Sequence, residues 1–468
     1  MTAILTNKFK KDILINIEED INDPNTQNVY YMVYAKPTQW NETDTPTVPL
    51  NNLYEEQKIV YNAVAAKKII DCSLVIPRRD WMANSKYSQY KDTNIGHNLT
   101  PSDYVITSDY QVYICIQPNV TLDGSNNTLL VNDSTIEPEG IDTIPVQAPD
   151  GYIWKYAYTV GPLRANKFMS SGYMPIDRFT DNEELDVSQR QDVINQIAVQ
   201  DAAIGGQIIS YDLSAENGGD GGANYSALTT ATIVGDGTGA TADLIINASG
   251  VIKAVIPTNY GEGYSYATVV LNDPNGTGSG ASIRPVVTSF NGLGYDPRVD
   301  LRASAIMFKG ETDGNTNPDL IINNDFRQIA IVKNPTFKNS NDIFTDATGN
   351  PLKYFNIDNV QFNFTPDNII VGSVSGARAI VARHDANSTV LYFIQNEETG
   401  FEPFQIGEQL NEENGEGTAT LLINDANDGS INLPEIDLNK SEVLFIDNRQ
   451  AVSRSSEQKE DVKIIIQL

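Results

Sequence analysis

The sequence predicts a mainly β protein with a few short helices and two inserted β modules. Three observations carry that prediction. Short apolar stretches alternate between Gly, Asn and Asp turns, one glycine-rich segment repeats itself once, and amphipathic runs of helical length are few. The 468 residues include 61 acidic and 32 basic side chains, a formal net charge of −29, with 40% hydrophobic and 9% aromatic residues. That apolar content is too high for a disordered acidic tail, and the length suits roughly three domains of ~150 residues. The charge argues against nucleic acid or an anionic membrane as partner, since either needs clustered cations. A protein partner fits instead. No run of about 20 apolar residues is present to span a bilayer. The N-terminus places its charges after a short apolar patch, the reverse of a secretion signal. Two cysteines, Cys72 and Cys115, are too few for a disulfide framework and point to a reducing compartment.

Taken in chain order, residues 1–204 read as the first part of a framework. Within it Leu53 to Ile70 predicts a helix, with Glu55 and Glu56 in its first turn, Lys67 and Lys68 in its last, and Ile59, Val60, Ala63 and Val64 between. Tyr104-Val105-Ile106 and Val112 to Ile116 flank Ser108-Asp109 and predict a hairpin. A second helix is expected over about 182–200, capped by Asp181 with Glu184 reaching back, and burying Val193, Ile194 and Ile197.

Residues 205–294 form the first insert, with 17 of the 33 glycines and only Lys253 and Arg284 as basic residues. Its two copies align as Gly222-Ala223-Asn224-Tyr225 with Gly261-Glu262-Gly263-Tyr264, Ala231 to Val234 with Ala267 to Val270, and Gly237 to Ala240 with Gly278 to Ala281. Each copy reads turn, strand, glycine turn, strand. Two copies make a small module, not a solenoid. The framework continues over 295–360. A second insert covers 361–428, with strands such as Ala379-Ile380-Val381 and Thr389 to Ile394, and framework strands close the chain over 429–468.

Catalytic signatures are scarce. The two histidines, His97 and His384, fall in different regions with no nucleophile pattern beside them, so neither a triad nor a zinc site is expected. Carboxylates are too numerous to select a catalytic pair, and a solvated acidic face is the default reading of runs such as Glu183-Glu184 and Glu412-Glu413. Gly235 to Ala240 lacks the Gly-Lys-Ser/Thr ending of a phosphate loop. Asp273-Pro274-Asn275-Gly276 and Asn424 to Gly429 carry hard oxygen ligands without the spacing of a hand-type calcium loop, and turn chemistry accounts for them. No enzyme, cofactor or metal is therefore predicted.

Three segments stand out. In Val75 to Trp81, Pro77 fixes the chain, Arg78 and Arg79 adjoin Asp80, and Trp81 follows. Two planar guanidiniums in so acidic a chain are expected to clamp carboxylates, as an internal corner or at an interface. In Pro149 to Tyr158 a turn leads into a strand that places Tyr152, Trp154, Tyr156 and Tyr158 on one face, as sheet core or as an aromatic platform. The C-terminal half supplies strands at Phe326-Arg327-Gln328 to Lys333, ended by Asn334-Pro335, at Val443 to Arg449, and at Val462 to Leu468, whose apolar edge is expected to pair into a sheet.

These segments together resemble the baseplate wedge subunit family encoded by gene eight of T-even-like contractile-tailed phages. The matching pieces are Val75 to Trp81, Gly151-Tyr152-x-Trp154-x-Tyr156, Phe326-Arg327-Gln328-Ile329 with Asn334-Pro335, and Asn448-Arg449 with the terminal strand, in the family's order. The two β inserts depart from the family's shorter form. The resemblance implies a layered β-sandwich framework, a homodimer, a structural role in each wedge of the tail baseplate within the virion, and as neighbours the wedge proteins of genes six, seven and ten. It implies no catalytic residues. The rival reading is a virion-borne glycan-binding or glycan-degrading protein, with Tyr260, Tyr264 and Tyr266 as the sugar platform.

Overall fold

A computed structural model of the chain describes residues 4–23, 25–38, 46–92, 100–179, 191–213, 220–312, 325–345, 349–422, 431–432, 435–437, 440–452 and 460–468. Strands make up 43% and helices 12%, and the expected class is the observed one: a mainly β, sandwich-type framework with short helices and small β modules. The chain divides into two compact units, Met1–Asn16 with Ser73–Met307 and Ile465–Leu468, and Ile17–Cys72 with Phe308–Ile464.

In the first unit four strands form a sheet in the order Tyr104–Ile106, Gln111–Gln117, Ile153–Thr159, Val146–Gln147. The first two make the expected hairpin, Tyr104 opposite Ile114, with Tyr110 in the left-handed region at φ 60°. Tyr152, Trp154 and Tyr156 pack with Tyr87, Val105, Tyr113, Cys115 and Val199. The ring faces confirm a packed core: Tyr87 meets Trp154 edge-on at 5.4 Å and Tyr113 meets Tyr156 at 5.8 Å. Tyr158 leaves this face, contrary to the strict alternation. The ladder shifts register between Val112 and Tyr113, opposite Tyr158 and Tyr156, and the Tyr158 hydroxyl donates to the Pro175 carbonyl at 2.9 Å. One bulged residue re-aims the next side chain.

Two helix expectations need correction. The run from Leu53 is helical only to Asn62, with Asn52 capping it by accepting the Glu55 amide at 2.9 Å. Ala63–Lys68 is instead a strand, antiparallel to Tyr30–Ala35 and buried from Ala63 to Lys67. Small alanine side chains let a sheet accept this segment on both faces, and tertiary pairing overrides alanine's helix preference. The later helix is described as Gln191–Asp201, and the expected cap at Asp181 and Glu184 lies outside the described residues. Its buried positions are Val193, Gln196, Val199 and Gln200, while Ile194 is 47% exposed. Gln196 is tolerated inside because its amide donates to the Asp177 carbonyl at 2.7 Å.

The glycine-rich module is built from three antiparallel ladders, Asp220–Ala223 with Ser279–Ser282, Thr230–Gly235 with Ala267–Asn272, and Thr238–Ile246 with Ile252–Glu262. The second ladder pairs equivalent strands of the two copies, while the first and third each pair the opening of one copy with the closing strand of the other, so the copies interlock. A Cβ on Gly237 would lie 2.4 Å from the Tyr264 ring, and one on Gly278 would lie 2.1 Å from the Tyr225 ring. Tyr225 accepts the Ala281 amide at 3.2 Å and Tyr264 the Ala240 amide at 3.4 Å. Asp236 of the first copy accepts the Ser265 amide of the second at 2.9 Å, and Asp273 of the second accepts the Ser226 amide of the first at 3.2 Å. Each copy thus supplies the ring that covers the other's glycine and the carboxylate that holds the other's turn.

In the second unit one sheet runs Ala63–Lys68, Tyr30–Ala35, Phe326–Lys333, Glu442–Val452. Asn334, at φ 53°, ends the third strand and accepts the Val29 amide at 2.8 Å. The terminal strand Glu460–Gln467 pairs with Ala305–Thr312, as its apolar pattern requires. The second module starts at Lys353, ahead of the expected 361. Lys353–Phe362 pairs through its first half with Val390–Ile394 and through its second with Thr418–Leu421, which closes six strands into a small barrel. Phe355 and Phe393 stack at 3.9 Å inside it, and closure removes the exposed edges.

The interlock predicts that Gly278→Ala destabilises the glycine-rich module by about 1–3 kcal/mol, because the ring it strikes, Tyr225, is half-buried against the module's core and held by the Ala281 amide. Gly172→Ala, with nothing within 4 Å of its new Cβ, is expected to stay within about 0.5 kcal/mol. Urea unfolding of the two variants followed by circular dichroism checks the contrast.

Candidate functional site

The first expected segment forms a corner. Pro77 ends the strand Cys72–Pro77 opposite Tyr173, and its carbonyl accepts the Tyr104 hydroxyl at 2.6 Å. Arg78 turns outward and pairs with Asp80, two residues on, at 2.8 Å. Arg79 reaches the Tyr104 phenol, whose pKa burial drives well up while the guanidinium pulls it down. Trp81 anchors the corner: its amide donates to the Ile106 carbonyl at 2.9 Å and its indole to Ser134 Oγ at 3.2 Å.

Ser134 joins this segment to the second one, a link that sequence reasoning missed. Its hydroxyl donates to Asp150 at 3.0 Å, and the same carboxylate accepts the amides of Thr135, Ile136 and Tyr152 at 2.8, 3.1 and 3.2 Å. Burial alone would raise the Asp150 pKa, yet these donors hold it below the usual carboxylate range. Tyr152 then donates to the Asn132 carbonyl at 2.6 Å. Pro77 to Trp81 and Asp150 to Tyr156 are therefore one construction around the aromatic core. Phe326, Arg327 and Arg449 lie in the second unit.

Phe326 is 1% exposed and meets Tyr34 edge-on at 5.0 Å. Beside it Arg327 pairs with Asp325 at 2.6 Å and donates to the Pro37 carbonyl at 2.9 Å. Lys36, 1% exposed, takes the other Asp325 oxygen at 2.5 Å and also binds Asp367. Burial pushes the Asp325 pKa up, but the two cations outweigh it and the group lies below its ordinary value. Arg449 pairs with Asp447 at 3.0 Å near the surface. The signal that finds such pairs is arginine and aspartate two apart, which places both on one face of an extended chain. It recurs at Arg78 and Asp80, Asp325 and Arg327, Arg383 and Asp385, and Asp447 and Arg449, while Asp296 and Arg298 pair across the N-cap of the short helix Pro297–Asp300.

Other candidates are spent on structure. His384 Nδ1 accepts the Phe364 amide at 3.1 Å, so Nε2 carries the proton and donates to the Ser388 carbonyl. His97 and Asn424 to Gly429 lie outside the described residues. Asp273 accepts the amides of Gly278 and Thr277 at 2.8 and 2.9 Å, which hold its pKa at about 2. Tyr264 is buried under its interlock while Tyr266 is 62% exposed, so the two share no open face. Among the described residues no group of His, Cys, Asp and Glu converges as metal ligands, and no helix is long and apolar enough to cross a membrane. Cys72 and Cys115 are buried and are not joined in a disulfide.

One buried pair was invisible from sequence. Asp300 accepts the Gly294 amide at 2.7 Å, and burial pushes its pKa up to about 7. Lys155 donates to the Thr143 carbonyl at 2.7 Å, and burial brings it down to about 8. Neither a scan against protein-family models nor a search of curated proteins finds a match to this chain.

These charged groups generate two predictions. Arg327→Ala removes one of the two cations that hold the buried Asp325 and the donor to the Pro37 carbonyl, and is expected to cost about 3 kcal/mol, whereas Arg78→Ala, at an exposed pair, costs at most about 1 kcal/mol; urea midpoints of both variants check this. Asp300 is a raised carboxyl, so its contribution is full below pH 3.8 and is lost as pH rises through about 7. Asp300→Asn, whose side-chain oxygen still accepts from Gly294, should flatten that loss. Its stability relative to the parent should improve between pH 4.5 and 7.5 by up to about 3 kcal/mol, as read by urea titration at the two pH values.

Proposed function

We propose that the protein is a structural subunit of a phage tail baseplate wedge, a dimeric connector that holds neighbouring wedge proteins in place while the baseplate assembles and rearranges. The observation that supports this reading is the use made of the residues on which the family resemblance rests. Trp81, Ser134, Asp150 and Tyr152 form a continuous polar tie between a corner and an aromatic sheet. Phe326 and Arg327 sit in a buried ring contact and a buried ion network. Such fully engaged side chains fix strand against strand, which suits a part whose work is to keep geometry. The wedge proteins of genes six, seven and ten are its proposed neighbours, and the virion tail its place. The glycan reading draws less support, since Tyr264, central to the proposed platform, is a core residue.

A cryo-electron microscopy reconstruction of the tail that carries this chain tests the reading. Paired copies in each peripheral wedge, in contact with other wedge proteins, are expected. Density as trimers in distal fibres would sink it.

A further inference from the structure

A cleft of about 580 Å³ lies in the first unit beside the aromatic sheet. Its wall includes Tyr113, Trp154 and Tyr156, and its lips are Ile136, Ile144 and Val146. These aliphatic side chains are 42%, 66% and 41% exposed. Single exposed aliphatics are ordinary on any protein; here three stand around one cleft. Val146–Gln147 is the last strand of its sheet, and among the described residues one side of its backbone faces no further strand. The rim carries Glu137, Glu139 and Asp142, and no Lys, Arg or His belongs to the lining. Glu137 is engaged by the Ser108 amide at 2.8 Å; Glu139 and Asp142 pair with no cation among the described residues. Trp154, 3% exposed, has an indole N–H without a hydrogen-bond partner among those residues.

We propose that this cleft docks an extended polypeptide segment in which apolar and basic side chains alternate, laid as an added strand beside Val146–Gln147. A strand's side chains alternate in direction. Apolar residues then reach the lips formed by Ile136, Ile144 and Val146 while basic residues meet the acidic rim, and the open backbone edge supplies main-chain hydrogen bonds. A sugar is a poorer occupant: Tyr113, Trp154 and Tyr156 are 2%, 3% and 2% exposed and offer no open ring face for stacking. The inference goes beyond the baseplate reading and holds or fails independently of it, because it concerns only this cleft.

The test is fluorescence anisotropy of a labelled alternating Val-Lys octapeptide titrated with the full chain at low salt, with an alternating Val-Glu octapeptide and chitohexaose as comparisons. Saturable binding of the Val-Lys peptide is expected, with slowed hydrogen exchange at the Gln147 amide, which faces away from the neighbouring strand. Binding should weaken at least tenfold in Glu139→Lys/Asp142→Lys and in Ile144→Glu, all at exposed positions that leave the core intact, and should be unchanged in Glu262→Lys, an exposed carboxylate of the same unit that is not part of the cleft lining. Absence of saturable binding overturns the proposal. So does binding indifferent to the cleft substitutions, which is general attraction to an acidic chain, and so does cleft-dependent binding of chitohexaose in place of the peptide.

Discussion

The rest of the structure depends on one interaction, a carboxylate that accepts several backbone amides at a turn. The strands are short and the turns many, and each turn leaves N–H groups that no ladder satisfies. Asp150, Asp236, Asp273, Glu408 and Glu412 each take at least two such amides. All five have pKa values below the ordinary carboxylate range, because the amide donors favour the charged form. The device recurs in the corner at Trp81, in the glycine-rich module and in the closed barrel. In each it ties a turn to a segment distant in sequence. Part of the net charge of −29 is therefore structural, for these carboxylates are internal ligands of the backbone.

This explains which features were legible in the sequence. Period-two alternation and glycine turns are local signals, so the hairpin at Tyr104–Ile106, the duplicated module and the C-terminal strands could be read directly. The roles of individual carboxylates could not. Glu412 beside Glu413 looks like a solvated pair, yet Glu412 accepts the Thr365 and Gly417 amides while Glu413 pairs with Arg378 at the surface. Nothing local separates the two; the difference lies in which turn approaches. The same holds for Ala63–Lys68, where a helical composition is overruled by a long-range ladder, and for Tyr158, re-aimed by a bulge that depends on its partner strand.

The candidate residues divide along the same line. Arg78, Arg79 and Trp81 were legible as a group because they are contiguous. Their counterpart Ser134 was not, being an ordinary serine until Asp150 and Trp81 converge on it. Arg327 is the most consequential of the expected arginines because Lys36, hundreds of residues away in sequence, shares its carboxylate. Spacing two predicts the Asp325 pair but not its burial, and burial decides whether an ion pair is nearly neutral or costly to break.

The same spacing bears on what a partner meets. Arg78, Arg383 and Arg449 are each matched by an aspartate two residues away, so these cations are neutralised within their own strands or turns. Carboxylates outnumber cations 61 to 32, and those that hold no turn remain as an uncompensated negative field. A field of one sign repels acidic surfaces and steers basic ones. Specific contact then needs a place where that field coincides with exposed apolar side chains and an open backbone edge. Around Ile136, Ile144 and Val146 the three coincide, beside the packed rings of Tyr113, Trp154 and Tyr156, whose edge-on contacts with Tyr87 and with one another give such a contact a fixed wall.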